Sequence, residues 1–334
     1  MANVGIVGTT SWGSTLAIML ARFGHDVTMW ARTHDDAELL QKARRNDRFL
    51  PGVDFPDGLI VTANTDEAFG SAELVLLAVP SSSVTQNATT IAASVPAHAI
   101  VISATKGIDT RTGKRMSQLA GDALGRHDVG ALSGPNLALE IVEGNPATTT
   151  LAHIDASSAE TAQALLNSRV FRVYTSSDLI GVELGGALKN IIAIGAGFID
   201  GHGLGNNSKS AFVTRGLAEI TRLGVAMGAR TETFSGLSGM GDLVATCYSE
   251  LSRNRYVGQE LAKGRSAAEI VNGMDQVAEG VTTTQAALAV AESLGVDMPI
   301  ASVTRAVLAG ELDPRSAIEG LMTRTPVSET GTPH

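Results

Sequence analysis

The chemistry in this chain gathers around a lysine and an asparagine, Lys189 and Asn190, inside a largely apolar run from Leu179 to Ile199. A buried ammonium is costly, and burial pulls a lysine pKa down by several units. A lysine in such a run needs a chemical reason, although one that snorkels from a helix bend offers a bland alternative. Asp242, in Gly239-Met-Gly-Asp242, is a carboxylate that could hold and tune that lysine, or simply cap the helix after Gly241. Ser252-Arg-Asn-Arg255 offers Arg253 as a bidentate grip for an anionic group and Asn254 as an amide donor, with the free amides of a helix beginning at Ser252 in support. The same four residues would also suit a solvated surface. Cys247 has no nearby histidine to make it a nucleophile, and is read as a small buried hydrophobe.

A second centre lies at the start of the chain. Val4–Val7 reads as a buried strand, and Gly8-Thr-Thr-Ser-Trp-Gly13 follows it. Gly8 and Gly13 occupy the first and third positions of G-x-G-x-x-G, the loop that brings backbone close to a pyrophosphate at a helix N-terminus. Thr10 stands at the middle position. A β-branched residue does not adopt positive φ without strain, so the loop must relax or Thr10 must donate its hydroxyl. A plain strand-to-helix turn is the alternative. Strand two ends at Ala31-Arg32, with Asp35 and Asp36 displaced downstream. An arginine at that place pairs with a 2′-phosphate, which favours NADP over NAD. Pro80-Ser81 and Thr105-Lys106-Gly107 close two later strands, and Lys106 would project into the crevice or sit as a solvated loop lysine. A nucleotide loop and an inward-facing lysine together point to hydride transfer to a carbonyl.

These residues need a scaffold. Strands are expected at Val27–Trp30, Leu74–Val79, Ala99–Ser103, Val129–Leu132, Thr148–Ala152 and Val170–Tyr174, with helices between them, beginning with Ser14–Phe23. That alternation implies an α/β domain with a mostly parallel sheet covered on both faces. Near Ser177-Asp178 the pattern turns helical, with Asp178 as an N-cap. Helices are expected at 211–227, 252–263, 267–272, 282–294 and 300–309. The division is therefore a Rossmann-type domain over 1–177, an all-α domain over 178–322, and a polar tail over 323–334.

The bulk numbers set bounds. A formal charge of -9 offers no basic surface for nucleic acid, yet leaves room for local cations around a phosphorylated small molecule. The single cysteine forbids an intrachain disulfide. Glu183, Lys189 and Asn190 inside the long apolar run favour a core helix over a membrane span. With a first strand at Val4 and no room before it for a signal peptide, a soluble cytoplasmic protein is expected, and no metal.

Taken together the motifs resemble the bacterial type of NAD(P)-dependent glycerol-3-phosphate dehydrogenase, over residues 3 to 322. They are Gly8-x-x-x-Trp12-Gly13, Trp30-Ala-Arg32, Asn46-Asp-Arg-Phe-Leu-Pro-Gly52, Ala78-Val-Pro-Ser81, Lys106-Gly-Ile108, Leu132-Ser-Gly-Pro-Asn136 with Glu140, and Val182-Glu-Leu-Gly-Gly-Ala-Leu-Lys-Asn190. Gly239-Met-Gly-Asp-Leu243 with Thr246-Cys247, Ser252-Arg-Asn-Arg255 and Glu279-Gly280 complete the series. The resemblance implies reduction of dihydroxyacetone phosphate to sn-glycerol 3-phosphate for glycerophospholipid synthesis, by a homodimer. It implies Lys189 as the catalytic residue. Lys106, Ser133, Gly134, Asn190, Asp242, Thr246, Arg253 and Asn254 would line the substrate site. Gly8, Thr10, Ser11, Trp12, Gly13, Arg32, Pro80, Lys106, Arg255 and Glu279 would meet NADP or NAD. Thr10 departs from the family, which normally has glycine there. Two other functions fit the same scaffold: a reductase of another oxo acid or sugar nucleotide, and a nucleotide-binding sensor without turnover.

Overall fold

The computed structural model describes residues 1–274, 276–313, 315–317, 320, 323 and 329. The expected tail from 323 onward therefore lies outside the described residues, except Thr323 and Glu329. The first half forms one eight-stranded sheet: β1 (Asn3–Val7), β2 (Asp26–Trp30), β3 (Leu59–Thr62), β4 (Leu74–Leu77), β5 (Ile100–Ser103), β6 (Val129–Ser133), β7 (Ala147–Ala152) and β8 (Phe171–Ser176). Their order is β3-β2-β1-β4-β5-β6-β7-β8, parallel throughout except for the antiparallel β6–β7 pair. The order reverses between β1 and β4, so a crevice opens at the carboxyl ends of these two strands, where ligands bind in sheets of this kind. β1, β4 and β5 are almost wholly apolar, and apolar residues on both faces of the sheet are buried under helices.

Strand β3 is absent from the expectations. It has four residues, lies at the sheet edge and exposes Ile60, so it carries neither a long apolar run nor a clean alternation. The helix after β1 begins at Ser11 rather than Ser14, because Thr10 caps it.

The second half is built on the Leu179–Gly201 helix. Asp178 caps it by accepting from the Gly181 N–H at 2.9 Å, and its other carboxylate oxygen accepts from Thr233 Oγ1 and the Arg230 N–H. The helix is long and apolar enough to cross a membrane by composition, but 94% of that stretch is buried inside the fold. Helices Gly205–Ala226, Asp242–Tyr248, Arg253–Ala262, Glu279–Leu294 and Pro299–Leu308 surround it. The tightest crossing is made by the Arg253–Ala262 helix. There Gly197 and Gly258 face each other, and a Cβ on either would collide with the partner's backbone. Two glycines at this crossing let the backbones touch and draw the N-terminus of the Arg253–Ala262 helix toward Asn190.

Candidate active site

Successive residues along the central helix meet successive parts of the site. Gly185 lies against the Ser238 carbonyl and Gly239, and Gly186 against Ser133 at the end of β6. One turn on, Lys189 reaches Asp242 and Thr246. Asn190 reaches Asn254. Small residues one turn before the lysine let two walls close on either side of its amine.

Asp242 follows a π-helical turn, Leu237–Gly241, closed by a bond from the Gly241 N–H to the Gly236 carbonyl at 3.0 Å. Such turns are uncommon and recur at functional sites. Asp242 and Thr246 then share one face of the Asp242–Tyr248 helix at i and i+4. The carboxylate holds two ammonium groups, one on each oxygen: Lys189 on Oδ1, and Lys106 on Oδ2 at 2.6 Å. Lys189 also donates to Thr246 Oγ1 at 2.5 Å, and Lys106 to the Gly134 carbonyl at 3.2 Å. Each amine thus spends two of its three protons on the protein and keeps one for a ligand. Burial drives the Lys189 amine down to about 7; Asp242 opposes that shift and the like charge of Lys106 adds to it. Asp242 therefore works as a bridge between the lysines rather than as a simple helix cap.

Ser133 lies beside this pair with its Oγ fully buried and without a partner among the described residues. An orphaned buried hydroxyl points to a missing ligand atom or water. Arg253 begins the helix capped by Ser252, whose Oγ accepts from the Arg255 N–H at 3.2 Å. The Arg253 guanidinium makes no hydrogen bond or ion pair among the described residues, and Glu279 is the charge that acts on it.

Two expected contact residues are held in place by bonds within the protein. Arg255 is anchored by the protein: its Nε binds Asp200 Oδ2 at 2.5 Å and its Nη1 the Ser249 carbonyl, which fixes its guanidinium near the end of the central helix. The same Asp200 oxygen holds Lys209 at 2.7 Å. Asn254 is mostly consumed in positioning. Its amide donates to Asn190 Oδ1 and its oxygen accepts the Gly280 N–H, both at 2.9 Å, which leaves one N–H for a ligand. Cys247 is wholly buried and its thiol is pushed up to about 12, so it is inert at neutral pH.

The nucleotide loop shows how threonine replaces glycine. Thr10 has φ −70° and sits as the N-cap of the Ser11–Arg22 helix. Its Oγ1 accepts the Gly13 N–H at 3.1 Å and donates to the Ala78 carbonyl at 2.7 Å, tying the loop to the end of β4. Gly8 carries the positive φ, at +108°, where a Cβ would lie 2.7 Å from Val79 Cγ1. Asn46, the first residue of the Asn46–Gly52 motif, supports this loop: its amide donates to the Thr9 carbonyl and to Ser14 Oγ. The first-turn N–H groups of Ser11 and Trp12 have no intrahelical acceptor and lie at the sheet's switch point. A cradle without Cβ at Gly8 and free amides beyond it fit a dinucleotide pyrophosphate. Arg32 is exposed just past β2, and Pro80 leads the turn after β4.

Comparison with known proteins decides the family. Residues 3–159 match the model described as NAD-dependent glycerol-3-phosphate dehydrogenase N-terminus, and residues 178–319 match the corresponding C-terminus model. The chain belongs to the NAD-dependent glycerol-3-phosphate dehydrogenase family. It is similar to the glycerol-3-phosphate dehydrogenase (NAD(P)+) of Dehalococcoides mccartyi, with 48% identity over 96% of this chain and 91% of that one. It is also similar to the enzyme of that name from Prosthecochloris aestuarii, 43% identical over 98% and 99% of the two chains. The crystal structure of glycerol-3-phosphate dehydrogenase from Coxiella burnetii superimposes with a TM-score of 0.92 at 33% identity, covering 97% of this chain and 99% of that one. The chain is accordingly an NAD(P)-dependent oxidoreductase with a Rossmann-type sheet followed by helices.

Proposed function

We propose that the chain reduces dihydroxyacetone phosphate to sn-glycerol 3-phosphate with NAD(P)H, reversibly, with Lys189 as the proton donor. The observation that carries this is the shared carboxylate. Asp242 holds two amines side by side, one of them with a pKa near 7, while the Arg253 guanidinium has no hydrogen-bond or ion-pair partner among the described residues. A bound nicotinamide supplies the hydride. As it reaches the C2 carbonyl carbon, the C=O π pair collects on oxygen and takes a proton from Lys189, leaving a neutral amine. An amine that titrates near neutrality both gives and regains that proton easily, and general acid help of this kind is worth roughly 10²–10⁴-fold. Lys106 and the Ser133 hydroxyl add donors beside the oxygen. Arg253 takes the phosphate in bidentate fashion, with the remaining Asn254 N–H beside it.

The same reading divides the chain into a cofactor domain over 1–177 and a substrate domain over 178–322. Arg32 favours NADP, since no carboxylate stands directly after β2 to hold a 2′-hydroxyl. The setting is cytoplasmic, the working unit a homodimer, and the product feeds glycerophospholipid synthesis. The test is an absorbance assay at the nicotinamide band, with dihydroxyacetone phosphate or dihydroxyacetone and with NADPH or NADH. Turnover confined to the phosphorylated ketone and faster at limiting NADPH supports the reading. Equal use of both ketones removes the phosphate grip, and binding of NADPH without turnover of either removes the enzyme.

A further inference from the structure

Ser81 belongs to no part of the site described so far, yet it is bonded across the cleft to a residue 198 positions away. Its backbone N–H donates to Glu279 Oε1 at 2.9 Å, and its hydroxyl donates to Glu279 Oε2 at 2.5 Å. Both oxygens of that carboxylate are thereby engaged from the turn after β4. The position of Ser81 is set in turn by Gly107, next to Lys106, where an added Cβ would stand 2.6 Å from Ser81 Cβ. Glu279 opens the Glu279–Leu294 helix, and Gly280 beside it is bonded to Asn254, the neighbour of Arg253. Arg253 and Glu279 feel each other's charge, but no ion pair joins them among the described residues. Arg253 is exposed and Glu279 half-buried, and a guanidinium and a carboxylate placed so can close into a bidentate pair. Instead each carboxylate oxygen takes a donor from Ser81, which fixes the carboxylate against the turn after β4 and limits its freedom to swing to Arg253.

We propose that Ser81 is a positioning residue that holds the Glu279 carboxylate off Arg253 and so keeps the guanidinium available for the substrate's phosphate. This rests on reading Arg253 as the phosphate grip. Without the Ser81 hydroxyl, one carboxylate oxygen is released, turns to Arg253, neutralises it and repels the incoming dianion. The selectivity for a phosphorylated ketone then depends on a residue that does not touch the phosphate.

The experiment compares wild type, Ser81→Ala, Ser81→Thr and Ser81→Ala/Glu279→Gln at saturating NADPH, with dihydroxyacetone phosphate and dihydroxyacetone as substrates. In parallel, calorimetry measures the Kd of glycerol 3-phosphate for each NADH-bound protein, a combination that cannot react. Ser81→Ala is expected to raise KM for dihydroxyacetone phosphate roughly tenfold at nearly constant kcat, the scale of one charge-assisted hydrogen bond. The Kd should rise by the same factor, while kcat/KM for dihydroxyacetone stays put. Ser81→Thr keeps the hydroxyl and should behave as wild type. The double variant removes the competing charge; because Glu279 is also an expected cofactor contact, its readout is the ratio of kcat/KM on the two ketones at saturating NADPH, which should return to the wild-type value whatever the absolute rates. Equal loss on both ketones in Ser81→Ala, an unchanged Kd, or no recovery in the double variant overturns the proposal while leaving the Arg253 reading intact. A wild type that uses both ketones equally well overturns both.

Discussion

Replacing Asp242 by asparagine tests the electrostatic design at its centre. The carboxylate bridges two amines, and it is the strongest influence keeping Lys189 protonated against the pull of burial. Asparagine keeps the shape and one acceptor oxygen but removes the charge. A hydrogen bond to a charged group contributes about 1.5–3 kcal/mol, and each pH unit corresponds to about 1.4 kcal/mol. The Lys189 amine should therefore fall by about one to two pH units from its starting point near 7. The sign is fixed by the charge of the acid: losing a negative neighbour favours the neutral amine, with Lys106 still repelling from the other side. In the reduction direction the protonated amine is the active form. The assay is kcat/KM for dihydroxyacetone phosphate from pH 5 to 9 at saturating NADPH. The alkaline limb should move from near neutrality toward pH 5–6 in Asp242→Asn, with reduction at pH 8 slowed accordingly. An alkaline limb that coincides with wild type, or moves upward, refutes the argument.

Thr10→Ala removes a helix cap and the hydroxyl's bond to the Ala78 carbonyl, and should cost about 1–2 kcal/mol of stability in urea titrations, with weaker NADPH binding. Unchanged cofactor Kd would show that the loop holds without its threonine. Glu219 is a second buried acid, bonded to the Ile300 and Ala301 N–H groups at the start of the Pro299–Leu308 helix, and burial raises its pKa to about 7. The folded state holds that proton more tightly than the unfolded state, so the contribution is present in full below the unfolded value of 4.5 and is lost as pH rises through about 7. Relative to Glu219→Gln, wild type should lose roughly 3 kcal/mol between pH 4 and pH 8; parallel stability curves would contradict this.

Much of the scaffold was legible because its signals are local. The buried strands ending at Val7, Trp30 and Leu77 are short, mostly apolar runs followed within three residues by Gly8, Arg32 and Pro80, and Asp178 announces the central helix by its own side chain. Lys189 was conspicuous because charge in a greasy helix is expensive. What escaped depends on chain crossings. The bond between Arg255 and Asp200 forms only because Gly197 and Gly258 let their two helices approach closely. The bond between Ser81 and Glu279, and the support of the nucleotide loop by Asn46, exist only once distant segments have packed. At Thr10 both expected accommodations occur: the loop takes an ordinary negative φ, and the hydroxyl donates to the Ala78 carbonyl while capping the helix.

The most direct measurement is the turnover of Lys189→Met, a substitution that keeps a long side chain in the apolar helix and leaves Asp242 paired with Lys106. With NADPH binding verified by fluorescence, kcat for dihydroxyacetone phosphate should fall by roughly 10²–10⁴-fold, the range of a lost general acid. A variant that binds NADPH normally and retains more than about a tenth of wild-type kcat would contradict the assignment of the proton to Lys189.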